Sequence, residues 1–367
     1  MSHMTYLEAS VVGLIQGVTE LFPVSSLGHN VLIPALVGGS WSTDLNVASS
    51  ESPYLAFIVG LHVATAIGML IYFWRDWIRI IKGFFSSIRH GQVETADQKL
   101  AWMIIAATIP VGLVGLVFEH AFRVLFAQPI RAAIFLVING LILFAGERFR
   151  TSKSKAADAA IAAGTHPANA ERQADGAISP APAAATASAM TASGAPGSAA
   201  DPGPPGTGRA GGGAGHSSHA SGHRAVRKQE MATAIESDQR VSAVGFVRAI
   251  IIGSAQILAL LAGISRDGVV MVTGMFSGLS REDAARFSFL LSTPVIFAAG
   301  ALKAGDLLGP LGNGIRGQIL VGSILSGIGA YVAVRFLMRY FQTRTLTPFA
   351  VYCIVFGLGS IIYLKVK

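Results

Sequence analysis

Apolar residues run almost unbroken over roughly 54–74, 101–118, 131–149, 283–302, 317–337 and 347–365, each near the length of about 20 residues that a helix needs to cross a bilayer. Six full spans are predicted. Two further stretches, about 7–22 and 246–261, are apolar but short, and each stops at Pro or Gly followed by polar residues instead of a basic loop. They read as re-entrant half-helices. From about 151 to 240 the pattern vanishes into Ala, Gly, Pro, Ser and His, with runs such as Asp201-Pro-Gly-Pro-Pro-Gly. Such a stretch buries too little apolar surface to offset the entropy of ordering, and predicts a disordered linker.

The two sides of that linker resemble each other. A shift of 240 positions superposes Gly13 on Gly253, Gln16 on Gln256, Pro23 on Gly263, Ser25 on Ser265 and Gly28 on Gly268. The expected fold is an all-α integral membrane protein: six transmembrane helices and two re-entrant helical hairpins in an inverted-topology repeat. Its parts are a first membrane repeat (1–150), a linker (151–240) and a second membrane repeat (241–367).

Composition agrees with the pattern. The 367 residues are 52% hydrophobic and 13% charged, with mean hydropathy +0.55, whereas soluble domains carry about 25% charged residues. A net charge of +8 would suit nucleic acid, but no aromatic-interleaved basic face accompanies it, so no nucleic-acid partner is expected. Basic residues flank spans instead: Arg75, Arg79, Lys82 and Arg89; Arg148, Arg150, Lys153 and Lys155; Arg335, Arg339 and Arg344. They set those loops and the linker in the cytoplasm and both termini outside. No secretory signal pattern opens the chain, so its first segment is expected to stay in the mature protein. The single cysteine, Cys353, excludes an intramolecular disulfide and reads as a packing residue. Linker histidines 166, 216, 219 and 223 read as solvated.

Chemistry gathers at the two breaks. Gln16 and Glu20 are four residues apart, on one face of a helix, and a carboxylate at membrane depth must meet a cation, a proton or water. Pro23 stops the helix, and Ser25, Ser26 and Gly28 form a turn whose hydroxyls and free N–H groups suit an anion or cap the next helix. His29 follows, a candidate for acid/base or nucleophilic work. The second break holds Ser265, Arg266 and Asp267. A guanidinium at that depth needs an anion, either phosphate or a structural partner such as Glu20 or Asp267. Together these groups offer charge neutralisation, a nucleophile or activated water, and a proton carrier, as phosphoryl transfer requires. His62 and Thr65, like Glu119 and His120, read as packing or interfacial residues. Tyr72, Trp74 and Trp77 read as an aromatic belt, and Arg286 as a snorkelling side chain.

The run Gln16-Gly-Val-Thr-Glu20, then Pro23-Val-Ser-Ser-Leu-Gly-His29, the later Gly263-Ile-Ser-Arg266, and the tract Leu279-Ser-Arg-Glu-Asp-Ala-Ala-Arg-Phe-Ser-Phe-Leu-Leu291 closely resemble bacterial undecaprenyl-diphosphate phosphatases of the bacitracin-resistance type. The resemblance covers both membrane halves and not the linker. It implies hydrolysis of a C55 isoprenoid diphosphate at the outer face of the bacterial plasma membrane, recycling the carrier for cell-wall synthesis. It implies a divalent metal, magnesium or calcium, near Glu20, with Gln16 a further candidate ligand. It also implies Ser26 or His29 as nucleophile or general base, Arg266 as the catalytic cation, and Ser25, Ser26, Ser265 and Arg266 holding phosphate. Which of Ser26 and His29 attacks stays open. Expected partners are the polyprenyl diphosphate and membrane lipids, with a homodimer as a further alternative.

Ala262, Asp267 and Val270 stand where the family usually has Pro, Ser and Thr. Asp267 weighs most, because a carboxylate beside Arg266 would compete with phosphate for the guanidinium unless a metal bridges them, making Asp267 a speculative metal ligand. Two alternatives follow: a lipid transporter or flippase, which inverted repeats with broken helices also build, and a catalytically weakened lipid-diphosphate-binding relative.

Overall fold

The computed structural model describes residues 4–45, 53–126, 128–162, 231–303, 309 and 314–366, excluding the side chains of 55, 119–126 and 152–162. The chain divides into two compact units, residues 1–152 with 233–367, and residues 153–232. Everything that follows concerns the first.

The regular secondary structure of the described residues is all helical. The first half contains α1 (Tyr6–Thr19), α2 (Ser26–Val37), the short α3 (Ser40–Asp44), α4 (Pro53–Tyr72), α5 (Trp74–His90), α6 (Ala96–Phe126) and α7 (Pro129–Ala162). The second contains α8 (Met231–Ala243), α9 (Phe246–Ser254) continued by a 3-10 turn (Ala255–Leu260), α10 (Arg266–Phe276), α11 (Arg281–Leu302), α12 (Arg316–Thr343) and α13 (Thr347–Val366). Among the described residues, five helices are long and apolar enough to cross a membrane: the Ala96–Phe118 part of α6, the Pro129–Thr151 part of α7, α11, α12 and α13. Two bent pairs raise this to seven if each is one span: α4 with α5 (86°) and α8 with α9 and its turn (96°). The span predicted over 54–74 is thus one arm of a bent pair.

Local chemistry sets the ends. Thr5 and Glu8 form a reciprocal capping box at the start of α1, satisfying N–H groups that a helix start leaves open. Ser25, Ser265 and Ser280 cap α2, α10 and α11 through their hydroxyls.

Small residues let the helices approach. A Cβ on Gly13 or Gly17 would strike the backbone of Gly322 or Ser326 on α12, and one on Gly253 would strike that of Ala107 on α6. Gly13 and Gly253, superposed by the 240-position shift, each seat the first arm of a broken helix against a long span of the other half.

Three expectations need correction. The linker was expected over 151–240, but Thr151–Ala162 and Met231–Ala243 are helical, and Ser237 and Asp238 are buried; the remainder, with all four linker histidines, lies outside the described residues. Arg286 does not snorkel. It is buried, with Nε and Nη2 on Asp238 at 2.9 and 3.1 Å and Nη2 3.0 Å from Asp76. Arg79 joins the same cluster, reaching Asp76, Asp97 and Asp238 at 2.8, 2.9 and 2.6 Å. The cluster pins α5 and α8 to α11, because a buried guanidinium is tolerated only with paired carboxylates. The aromatic belt also divides: Trp74 is exposed, while Tyr72 packs against Phe73 and Tyr331. The Glu119 and His120 side chains lie outside those described.

Candidate active site

The α1–α2 and α9–α10 breaks meet, and three polar links join them. The Ser25 hydroxyl accepts from the Gly28 N–H of its own helix and from the Gly263 N–H of the other break, both at 3.2 Å. The Ser265 hydroxyl accepts from Gly268 N–H at 3.1 Å and donates to Phe22 O at 3.5 Å. Asn139 on α7, fully buried, donates to Pro23 O and accepts from Ser265 N–H, each at 3.0 Å. Main-chain groups freed by two helix breaks are thereby satisfied by side chains, as a membrane interior demands. Backbone strain accompanies this. Ser25 stands at φ +68°, and Gly263 at φ +112°, where a Cβ would also strike Ala132 O; a side chain costs most in that region.

Arg266 reaches across the junction. Its Nη2 donates to Glu20 Oε1 at 2.6 Å, while its buried Nε has no partner among the described residues. The other Glu20 oxygen accepts from Gln16 Nε2 at 2.8 Å and from the Ser26 hydroxyl. Gln16 is itself held by Asn30, whose amide donates to Gln16 Oε1 at 2.6 Å. His62 on α4 completes the group, with Nε2 3.4 Å from Glu20 Oε2. Its Nδ1 lies 2.9 Å from Ile58 O; a carbonyl can only accept, so the proton sits on Nδ1 and Nε2 is free to exchange one with the carboxylate.

The predicted residues therefore separate. Glu20, Gln16, Ser26 and Arg266 converge. His29 has other partners: Nδ1 to Ser25 O and Nε2 to the Tyr352 hydroxyl, both 2.7 Å, with its ring near-parallel to those of Tyr352 and Phe356 at 5.7 and 5.3 Å. Ser25 and Ser265, expected on phosphate, spend their hydroxyl oxygens on helix caps and on the junction. Asp267 departs furthest from expectation. Its Oδ1 accepts from Ser288 and Ser292 of α11, both at 2.7 Å, and no ion pair joins it to Arg266 among the described residues. Its buried Oδ2 has no partner among the described residues. Among those residues no group of three or more His, Cys, Asp or Glu side chains converges as a metal site.

Sequence reasoning missed His62, Asn139, Tyr352 and the Ser288–Ser292 pair. Asn139 carried the one usable signal, an isolated amide inside a long apolar span.

The arrangement offers an anion site with a nucleophile attached. One guanidinium keeps an unused donor, two helix N-termini start at the junction, and a serine hydroxyl donates to a carboxylate able to take its proton. Comparison with known proteins points the same way. The family model described as Bacitracin resistance protein BacA matches residues 9–166 and 221–359. A protein named undecaprenyl-diphosphatase from Mycolicibacterium paratuberculosis (strain ATCC BAA-968 / K-10) is 49% identical over 100% of this chain and 99% of its own. One named undecaprenyl-diphosphatase 2 from Frankia alni is 49% identical over 97% of each, and its namesake from Chromobacterium violaceum is 33% identical over 98% and 99%.

Proposed function

This chain belongs to the bacitracin resistance protein BacA family, and on that premise we propose that it hydrolyses undecaprenyl diphosphate to undecaprenyl phosphate and inorganic phosphate. The carrying observation is the Glu20–Ser26–Arg266 constellation at the meeting of the two breaks. The Arg266 guanidinium turns its free Nε to the terminal phosphate and neutralises charge as the bridging bond breaks. Ser26 is the favoured nucleophile, because Glu20 is positioned to take its proton and His29 is occupied by Ser25 and Tyr352. Attack of Oγ on the terminal phosphorus expels undecaprenyl phosphate, and water then releases inorganic phosphate from the serine. His62, beside Glu20 and 29% exposed, carries the proton between the carboxylate and solvent.

A divalent ion, magnesium or calcium, is the proposed cofactor. Glu20 would hold it, with the Ser26 hydroxyl; the Gln16 amide turns its NH2 to Glu20 and its oxygen to Asn30, so it would join the ion only after that amide rotates. One carboxylate suits a magnesium ion that completes its shell with substrate phosphates and water. Asp267 turns Oδ1 to Ser288 and Ser292 and keeps a buried Oδ2 without a partner among the described residues, so it stays a further candidate ligand. When bound, the ion supplies positive charge against the diphosphate.

The proposed architecture is six spans and two re-entrant hairpins in an inverted repeat, supported by the equivalent close approaches of Gly13 and Gly253 and the equivalent caps of Ser25 and Ser265. The proposed setting is the bacterial plasma membrane, with the site facing outward and residues 153–232 in the cytoplasm, supported by the basic residues at the ends of the spans. Phosphate release from purified protein given farnesyl or undecaprenyl diphosphate tests the reading. Silence with every divalent metal tried would refute it and leave transport or simple binding of the lipid.

A further inference from the structure

Helix α5 presents an outer face that the catalytic reading does not use. Its 17 residues follow α4 after a single residue, Phe73, and turn 86° from it. A helix so tied to an apolar one cannot lie far from the bilayer. One face of α5 is buried, at Ile80, Gly83 and Ser87. At about 100° per residue, the exposed face has two flanks. Trp74, Ile78, Ile81, Phe85 and Ile88 make an apolar flank, all exposed. Arg75, Lys82 and Arg89, seven residues apart, make a basic flank beside it.

The charges on this helix are sorted. Its one acid, Asp76, is committed to Arg79 and Arg286 in the buried cluster. Arg79 is likewise spent on Asp76, Asp97 and Asp238. Arg75, Lys82 and Arg89 have no acidic partner among the described residues, and Arg75 lies over the Trp74 ring at 5.1 Å. A line of three unneutralised cations thus runs about 21 Å along the helix, at about 1.5 Å per residue, beside an apolar flank. That pairing marks a helix lying in a membrane interface, its apolar side among acyl chains and its basic side among headgroups.

We propose that α5 is a binding surface for anionic phospholipid headgroups, with Arg75, Lys82 and Arg89 contacting phosphates while the Trp74–Ile88 flank enters the acyl region of the same leaflet. This site is separate from the Glu20–Arg266 centre and does not depend on what that centre does. Each basic residue near an anionic surface raises occupancy about fivefold, so the full set produces a clear preference for anionic over zwitterionic lipid.

Trp74 sits on the surface and reports on it. The full chain, reconstituted in vesicles, is compared for tryptophan quenching by brominated phosphatidylglycerol and brominated phosphatidylcholine, with Trp74→Phe isolating the contribution of that ring. Stronger quenching by the anionic lipid is expected. The preference should disappear in the combined Arg75→Gln, Lys82→Gln, Arg89→Gln variant and persist in Arg75→Lys with Arg89→Lys, which keeps the charge. A salt titration of the unsubstituted protein needs no variant, and the preference should shrink as ionic strength rises. Equal quenching by the two lipids, a preference that survives the triple substitution, or one indifferent to salt would each overturn the proposal.

Discussion

Asn139 is where stability and catalysis should be most tightly coupled. Replacing it with alanine removes the donor to Pro23 O and the acceptor for Ser265 N–H, both at 3.0 Å in a fully buried position. Each orphaned group costs about 1–3 kcal/mol, so the pair costs about 2–6 kcal/mol. Among the described residues Pro23 O then retains only the Cys353 thiol at 3.8 Å, a weak substitute. The break carrying Glu20 and the break carrying Arg266 would then lose a direct tie, and a shift of about 1 Å between catalytic groups lowers a rate about 100-fold. Thermal unfolding of the detergent-solubilised protein, with kcat and KM for phosphate release from farnesyl diphosphate, measures both effects. Cys353→Ala serves as the control, since it removes only two weak sulfur contacts, to Pro23 O at 3.8 Å and from Asn139 Nδ2 at 3.4 Å, and keeps both Asn139 bonds to the breaks. An Asn139→Ala protein with a lowered Tm but unchanged kcat would refute the alignment argument and leave Asn139 as packing.

Further expectations follow from the same geometry. Asp238→Ala leaves the buried Arg286 with Asp76 alone and Arg79 with Asp76 and Asp97, and should cost up to about 3–5 kcal/mol, read as a fall in Tm, while Arg75→Gln at the surface should leave Tm nearly unchanged. Gly13→Leu forces a side chain into the backbone of Gly322 and should destabilise by about 1–3 kcal/mol or more, measured by the same unfolding curve. Asp267→Asn keeps an Oδ1 acceptor for Ser288 and Ser292 and should retain near-native phosphatase activity; strong activation would restore competition between Asp267 and phosphate. Ser26→Ala should abolish turnover, whereas His29→Gln should act chiefly through the Tyr352 contact and leave measurable phosphate release.

What the sequence revealed was chiefly local. The breaks at Pro23 and Gly263, the cap at Ser25, and the i, i+4 pairing of Gln16 with Glu20 follow from residue type and spacing within one turn or two, and the structure contains each; the equivalent cap at Ser265 appears only in the structure. Contacts between helices were less legible. Nothing near His62 says that α4 delivers it to Glu20, and nothing near His29 says that Tyr352, 323 positions later, will occupy its Nε2. Arg286 was misread because periodicity places a residue on a face without saying what covers that face. Its partner Asp238 stood among residues whose composition resembled linker. Asp267 was identified as important by its departure from a family pattern, but only the serines on α11 show where its carboxylate points.

The most direct test of the central claim is the initial rate of phosphate release from undecaprenyl diphosphate by Glu20→Gln and Arg266→Ala, each beside unsubstituted protein confirmed to be folded. If Glu20 takes the Ser26 proton and Arg266 neutralises the phosphate, both rates fall by about 100- to 1000-fold or more. Near-native rates in both variants would contradict the account and place the chemistry elsewhere in the molecule.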